Sequence, residues 1–256
     1  MDSYETLRVE ERAGVLRVVL DRPERHNSIN DVMLDELGAV LDRAERGGPP
    51  IVALSGTGPV FCSGMDFADA SRSEATSLAD RGGAAFFGLL RRFTTVGRVI
   101  VSIVDGRVTG GGVGLVAASD LVYATERSSF GLPEALWGLL PCCVLPFLIR
   151  RVGYQPAHAM TLSTMPVPAL RAERYHLVDE VVEDADPVLR RLAARLSKLD
   201  GHTVGDAKRY LGRMWPPPGD PERVATAEFA RLVSSPAVQR RIANFANHQQ
   251  MPWESR

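Results

Sequence analysis

Two short glycine-centred segments constrain this chain more than anything else in it. They are Phe61-Cys62-Ser63-Gly64-Met65-Asp66 and Gly110-Gly111-Gly112, the latter following the apolar run Val99-Ile100-Val101-Ser102-Ile103-Val104. Each reads as a tight turn out of a strand and into a helix start, where backbone N–H groups lack partners and point outward. Glycine suits such a turn because it tolerates positive φ and lets another group approach the backbone closely. Two N–H groups converging on one point form an oxyanion hole, a donor pair for an oxygen that gains charge during reaction. A third segment, Phe130-Gly131-Leu132-Pro133-Glu134, adds a carboxylate among apolar residues. Two donors and one buried base are the equipment for removing a proton next to a carbonyl.

The chain has 256 residues, room for one large domain with a full core. Its formal net charge of -1 suggests neither a nucleic-acid nor a membrane partner. No apolar run is long enough to span a bilayer, and no basic start leads into an apolar stretch. The three cysteines, Cys62, Cys142 and Cys143, are odd in number, which fits a reducing cytoplasm better than a disulfide framework. Cysteine and histidine show no zinc-like spacing, so neither a metal nor a bound cofactor is expected.

Along the chain, Gly14 to Leu20 predicts a strand and Asn30-Asp31 the N-cap of a helix with apolar positions Met33, Leu34, Leu37, Val40 and Leu41. Gly47-Gly48-Pro49-Pro50 breaks that helix, and Ile51 to Ser55 is a short apolar strand. Asp69 to Asp80 is polar and reads as a mobile loop. Gly83 to Val96 predicts a helix, Val99 to Val104 a strand, Gly110 to Ser119 a buried helix of small residues, and Leu121 to Ala124 another strand. Beyond Pro141, seven segments have helical spacing, two of them separated by Pro216-Pro217-Pro218, and residues 249–256 read as frayed. The fold class is α/β: a strand-strand-helix region followed by a cluster of helices.

The motifs have plainer alternatives. A glycine triplet on its own marks close strand-to-helix packing. Gly112-Val113-Gly114-Leu115-Val116-Ala117 matches the dinucleotide pattern, but no acid ends the next strand. Glu134 could be a solvent-facing first-turn carboxylate after proline, although its apolar neighbours argue for burial and a raised pKa. Cys142 and Cys143 fit buried structural thiols better than a nucleophile, since no histidine partner is implied.

Taken together and in order, Arg22-Pro23-Glu24-Arg25-His26-Asn27-Ser28-Ile29, Phe61 to Asp66, Gly110-Gly111-Gly112 and Phe130 to Glu134 resemble the crotonase (enoyl-CoA hydratase/isomerase) superfamily. The resemblance implies a spiral of strand-strand-helix turns closed by C-terminal helices, with residues 1–200 as the core and 201–256 as a helical trimerisation region. It implies a homotrimer or hexamer and thioester enolate chemistry. By position, Met65 and Gly111 would supply the oxyanion hole and Glu134 the acid/base. Gly64, Asp66, Gly110, Gly114 and Cys142 would lie at the substrate. The first of the two hydratase glutamates falls on Gly114, so a two-glutamate water-adding site is not available.

Gly64-Met65-Asp66-Phe67 and the run from Leu139 to Arg151, continued by Gly153 to His158, further resemble the dehydratases of polyketide β-branching. Those enzymes remove water from a 3-hydroxy-3-methylglutaryl thioester on an acyl carrier protein. The glycine at Gly114 would make room for the C3 branch. Arg72 or Arg81 would meet the distal carboxylate, and Arg22 and Arg25 would dock the acidic carrier. The alternatives are a hydratase or isomerase acting on another acyl-CoA, a decarboxylase that leaves Glu134 idle, and a non-catalytic scaffold.

Overall fold

Continuous apolar runs need cover on both faces, and the chain provides it by winding successive strands into a sheet between layers of helix. The structure is a computed structural model that describes residues 4–66, 82–214, 219–248 and 250–254. Strands β1 (Leu7–Arg12), β2 (Val15–Leu20), β3 (Ile51–Gly56), β5 (Val99–Val104), β7 (Leu121–Ala124) and β10 (Glu180–Val181) form a six-stranded sheet in the order β1-β2-β3-β5-β7-β10. Only β1 pairs antiparallel; from β2 onward each neighbour is parallel. A second sheet takes the short strands β4 (Val60–Cys62), β6 (Arg107–Thr109), β8 (Ser129–Gly131) and β9 (Val167–Pro168) in that order. Each turn of the chain therefore gives one strand to each sheet before a helix returns it, and that repetition is the spiral.

The faces of the large sheet alternate as the pleat requires. Leu16, Val18, Leu20, Val52 and Leu54 point to the main core, with helices α1 (Asp31–Glu45), α2 (Gly83–Phe93) and α3 (Gly111–Ala118). Val15, Ile51, Ala53, Val101 and Tyr123 point the other way, onto Val188, Leu189 and Ala193 of α8 (Asp186–Leu196). Between these lie α4 (Glu134–Trp137), α5 (Leu145–Val152), α6 (Tyr154–Ser163) and α7 (Ala169–Arg174). Asn30 caps α1 by accepting the Met33 N–H at 3.0 Å, as its sequence predicts.

Strand β1 was not predicted: Leu7 alone is buried in it, and an edge strand shows no clean alternation. A two-residue turn with positive φ at Ala13 (53°) and Gly14 (75°) joins it to β2, the geometry that suits the twist of a hairpin.

The C-terminal helices are α9 (Gly201–Met214), α10 (Pro221–Val233) and α11 (Pro236–His248). The boundary drawn at residue 200 is not a break in packing. Lys208 Nζ donates to the carbonyls of Phe93 (2.9 Å) and Arg98 (2.7 Å) and pairs with Asp120 at 2.6 Å. Apolar residues of α10 and α11 pack within the chain, although Val224 stays exposed. Val233, Val238 and Ile242 bury against Leu139, and Phe245 meets the Trp137 ring edge-on at 5.1 Å. Near the C-terminus, residues 251–254 close a turn that buries Pro252 rather than fraying. Among the described residues no helix is long and apolar enough to cross a membrane. The polar segment 69–80 and Pro216 to Pro218 lie outside the described residues.

Candidate active site

The first glycine segment is held by the loop that precedes α1. His26 and Asn27 adopt left-handed backbone (φ 53° and 52°), which turns the chain sharply after the short 3-10 turn Pro23–Arg25. The Asn27 side chain fixes that turn: its Nδ2 donates to the carbonyls of Thr57 (2.9 Å) and Val60 (2.8 Å), and its Oδ1 accepts the Arg22 N–H at 2.9 Å. The loop then holds the glycine segment by backbone alone. Ser63 N–H donates to His26 O (3.1 Å), Ile29 N–H to Gly64 O (2.8 Å) and Asp66 N–H to Ile29 O (2.9 Å). This one-residue parallel bridge spends the groups on either side of Met65 and leaves the Met65 N–H on the opposite edge.

The second glycine segment starts α3. The Gly110 N–H donates to Gly131 O at 3.0 Å, which ties the turn to the strand leading into Pro133 and Glu134. Thr109 Oγ1 donates to Ser63 O at 3.1 Å and ties it to the first segment. Gly111 is the first residue of α3, so its N–H has no partner within the helix. Side chains are excluded where the segments meet. Gly64 (φ 92°) would put a Cβ 3.1 Å from Gly111 N and 3.2 Å from Thr109 O, and Gly110 (φ 56°) would put one 3.5 Å from Glu134 Oε1.

A cavity of about 670 Å³, counted with its open mouth, lies against these segments. The cavity brings together Gly64, Met65, Gly110, Gly111, Glu134 and Cys142, six of the residues picked from sequence. The sequence reading passed over Phe86, Trp137, Leu140 and Phe229, which also line it, because helical apolar spacing looks the same in a core and in a pocket wall. Among its described lining residues Glu134 is the only formally charged one. Its Oε2 is buried with no hydrogen-bond partner among the described residues. Burial pushes the carboxyl up from 4.5 to about 7. Glu134 is therefore not the solvated first-turn acid of the plainer reading.

Three expectations need correction. Asp66 is buried and turned away from the cavity: its Oδ2 accepts Ser28 Oγ at 2.9 Å and pairs with Arg22 at 3.1 Å. Arg22 is not a docking arginine, because its side chain is 11% exposed and its guanidinium faces Asp66 and the Ser28 carbonyl (2.6 Å). Arg25 does stay exposed. Gly114 does not line the cavity; a Cβ there would meet Leu90 Cδ1, Phe86 Cζ and Val144 Cγ2, each at 3.1 Å. The space that a second glutamate would need is filled by these three side chains and is not open to a branched substrate. Arg72 and Arg81 lie outside the described residues. Cys142 lines the cavity with a thiol raised to about 11 by burial, and Cys143 beside it is raised to about 12, which leaves neither as a thiolate near neutrality. Among the described residues no cluster of metal-ligating side chains occurs.

Comparison with known proteins bears on this geometry. The family model described as enoyl-CoA hydratase/isomerase matches residues 10–255. The chain is 34% identical to the bacillaene synthase dehydratase PksH of Bacillus subtilis over 258 residues, covering 98% of each protein. The crystal structure of PksH from Bacillus subtilis superposes with a TM-score of 0.87 at 32% identity, covering 98% of this chain and 100% of that one. An enoyl-CoA hydratase/isomerase from Xanthobacter autotrophicus Py2 superposes with a TM-score of 0.86 at 28% identity, covering 96% and 94%.

Proposed function

The chain belongs to the enoyl-CoA hydratase/isomerase family, and from that premise we propose that it dehydrates 3-hydroxy-3-methylglutaryl held on an acyl carrier protein to the 3-methylglutaconyl thioester. One observation carries the reading. The carboxyl of Glu134, raised to about 7 and with its buried Oε2 lacking a hydrogen-bond partner among the described residues, faces the glycine turn at Gly110-Gly111. Likeness over nearly the full length of both chains to the bacillaene synthase dehydratase PksH, whose crystal structure is described as that of a polyketide biosynthesis enoyl-CoA hydratase, supports the substrate class.

In the proposed reaction the thioester oxygen accepts hydrogen bonds from the N–H groups of Met65 and Gly111. These donors gain strength as the oxygen takes on enolate charge. Glu134 as carboxylate removes the C2 proton and becomes the neutral acid. The C3–O bond then breaks, the electron pair of the enolate forms the C2–C3 double bond, and Glu134 returns its proton to the departing hydroxyl as water. Substrate loses one water; Glu134 ends as it began. A group with pKa near 7 is matched to both steps, since it is neither too weak a base nor too weak an acid. No second carboxyl lines the described cavity to share the work. Arg25, exposed on the loop that holds the first glycine segment, is the remaining candidate of the two docking arginines.

The test is intact-mass spectrometry of carrier protein loaded with the 3-hydroxy-3-methylglutaryl group. The expected product is lighter by one water, and Glu134→Gln slows its appearance by roughly two to four orders of magnitude. Conversion of a 3-enoyl thioester without mass change, and no water loss from the hydroxy substrate, would instead establish isomerisation, which needs only one carboxylate.

A further inference from the structure

All but one of the described residues lining the cavity lie between Ser63 and Val144; Phe229 alone comes from the C-terminal helices. It enters on α10, which runs antiparallel to α2. Arg91 near the end of α2 pairs with Glu222 near the start of α10, and Gly83 at the start of α2 meets Phe229 further along. The two contacts stand about 12 Å apart along α2 and about 10.5 Å apart along α10 at 1.5 Å per residue, so the helices are in contact over the whole span. At Gly83 there is no room to spare: a Cβ would lie 2.9 Å from Phe229 Cδ1 and 3.5 Å from Cε1. The backbone there is held from its other side, where Cys143 Sγ donates to the Gly83 carbonyl at 3.6 Å. The ring is the part that can yield, and the cavity is where it can go.

We propose that Phe229, seated on Gly83, is the specificity-determining residue of this cavity and sets how large an acyl group it admits. The inference rests on the reading of the cavity as an acyl-thioester site, but not on which acyl group is the natural one. The ring packs onto the main core and onto the cluster of Leu139, Val233, Val238 and Ile242. Its position is thus set by the folded C-terminal region, and that region acts on specificity through one side chain. Gly83 is the reciprocal element: a methyl group there drives the ring inward and narrows the cavity, whereas removing the ring widens it.

The experiment measures affinity for a saturated straight-chain series, butyryl to octanoyl, loaded on an acyl carrier protein and in parallel on coenzyme A. Saturated chains lack the C3 hydroxyl and do not react, so binding is read without turnover. In Phe229→Ala the affinity ratio of octanoyl to butyryl should rise by about tenfold or more, the scale on which an apolar pocket discriminates a methylene. In Gly83→Ala the ratio should fall, and the double variant should return to the Phe229→Ala value, because the added methyl then has nothing to displace. Phe229→Leu, which keeps most of the packing, should give an intermediate ratio and guards against simple misfolding. A ratio within about twofold of wild type in both Phe229 variants, with affinities lost in parallel, would overturn the proposal while leaving the dehydratase reading intact. A shifted ratio with no water loss from the 3-hydroxy-3-methylglutaryl carrier would uphold it and retire that reading. No binding of any thioester by the folded wild type would overturn both.

Discussion

Replacing Glu134 by Gln separates two consequences of one buried charge. The carboxyl titrates at about 7 in the folded chain against an ordinary 4.5, with desolvation as the largest cause. At about 1.4 kcal/mol per decade, that is a penalty of roughly 3 kcal/mol on the ionised form. The cavity mouth admits water to one side, so about 1–3 kcal/mol is the range to test. The sign follows from proton binding. Between about 4.5 and 7 the folded state holds the proton and the unfolded chain does not, so stability falls as pH rises through that window. Above 7 the loss is complete. Glutamine has no charge to desolvate at any pH. The variant should therefore match wild type below pH 4.5 and exceed it at pH 8 by about 1–3 kcal/mol, or roughly 3–10 °C in melting temperature for a chain of this size. Thermal unfolding of both proteins at pH 4.5 and 8, at equal protein concentration, measures the difference, and carboxylates common to both cancel. The same variant should lose two to four orders of magnitude in turnover. A variant more stable at pH 8 yet nearly inactive identifies a functional group held at a cost to the fold. If stability does not diverge with pH, the carboxyl is solvated and the argument for a raised pKa fails.

Other perturbations test the frame around it. Gly64→Ala puts a side chain at φ 92° and against Gly111 N at 3.1 Å; turnover should fall by about 10²-fold or more, as when an oxyanion donor is lost, while circular dichroism stays near wild type. Arg22→Ala removes the cation paired with buried Asp66, and urea unfolding should register a loss of about 3–5 kcal/mol. Gly114→Glu should not create a water-adding enzyme, since Leu90, Phe86 and Val144 occupy the space; lower stability with no gain in enoyl hydration is expected, and a hydration rate above wild type would refute the packing argument. Cys142 and Cys143, with thiols raised to about 11 and 12, should resist iodoacetamide at pH 7.5 and label fully in denaturant, read by intact mass.

Sequence carried the fold wherever a segment's own residues decide its shape. The run Ile51–Leu54 is buried residue for residue, and Met33, Leu34, Leu37, Val40 and Leu41 all face the core from α1. The three-residue strands β4, β6 and β8 were not called as separate elements because three residues show no period, yet they deliver the two glycine segments and Glu134 to one place. The site was readable where chemistry demands a backbone feature, as at Gly64 and Gly110 with their positive φ. It was unreadable where only tertiary contact assigns a role. An Arg in an exposed-looking Arg-Pro-Glu-Arg run can be a buried partner of Asp66, and a phenylalanine some 95 residues beyond Glu134 can be a pocket wall.

One carboxyl among the described lining residues also shapes what chemistry suits this cavity. Adding and removing water follow one path in opposite directions, each moving one proton at C2 and one at the C3 oxygen, and the space beside Gly114 is taken by packed Phe86, Leu90 and Val144. Removing a β-hydroxyl takes one proton from C2 and gives one to the departing oxygen, and one group can serve both in succession if both lie on its side of the substrate. That condition makes the proposed reaction a syn elimination, with the C2 proton and the C3 hydroxyl both facing Glu134. It also explains why a pKa near 7 is useful here. A carboxyl at its ordinary 4.5 would accept the proton poorly, and one raised much higher would seldom be ionised to begin. On the proposed reading, burial in a cavity whose wall includes Trp137, Leu140 and Phe229 serves the acid–base chemistry as well as the shape, because burial is what brings Glu134 to about 7.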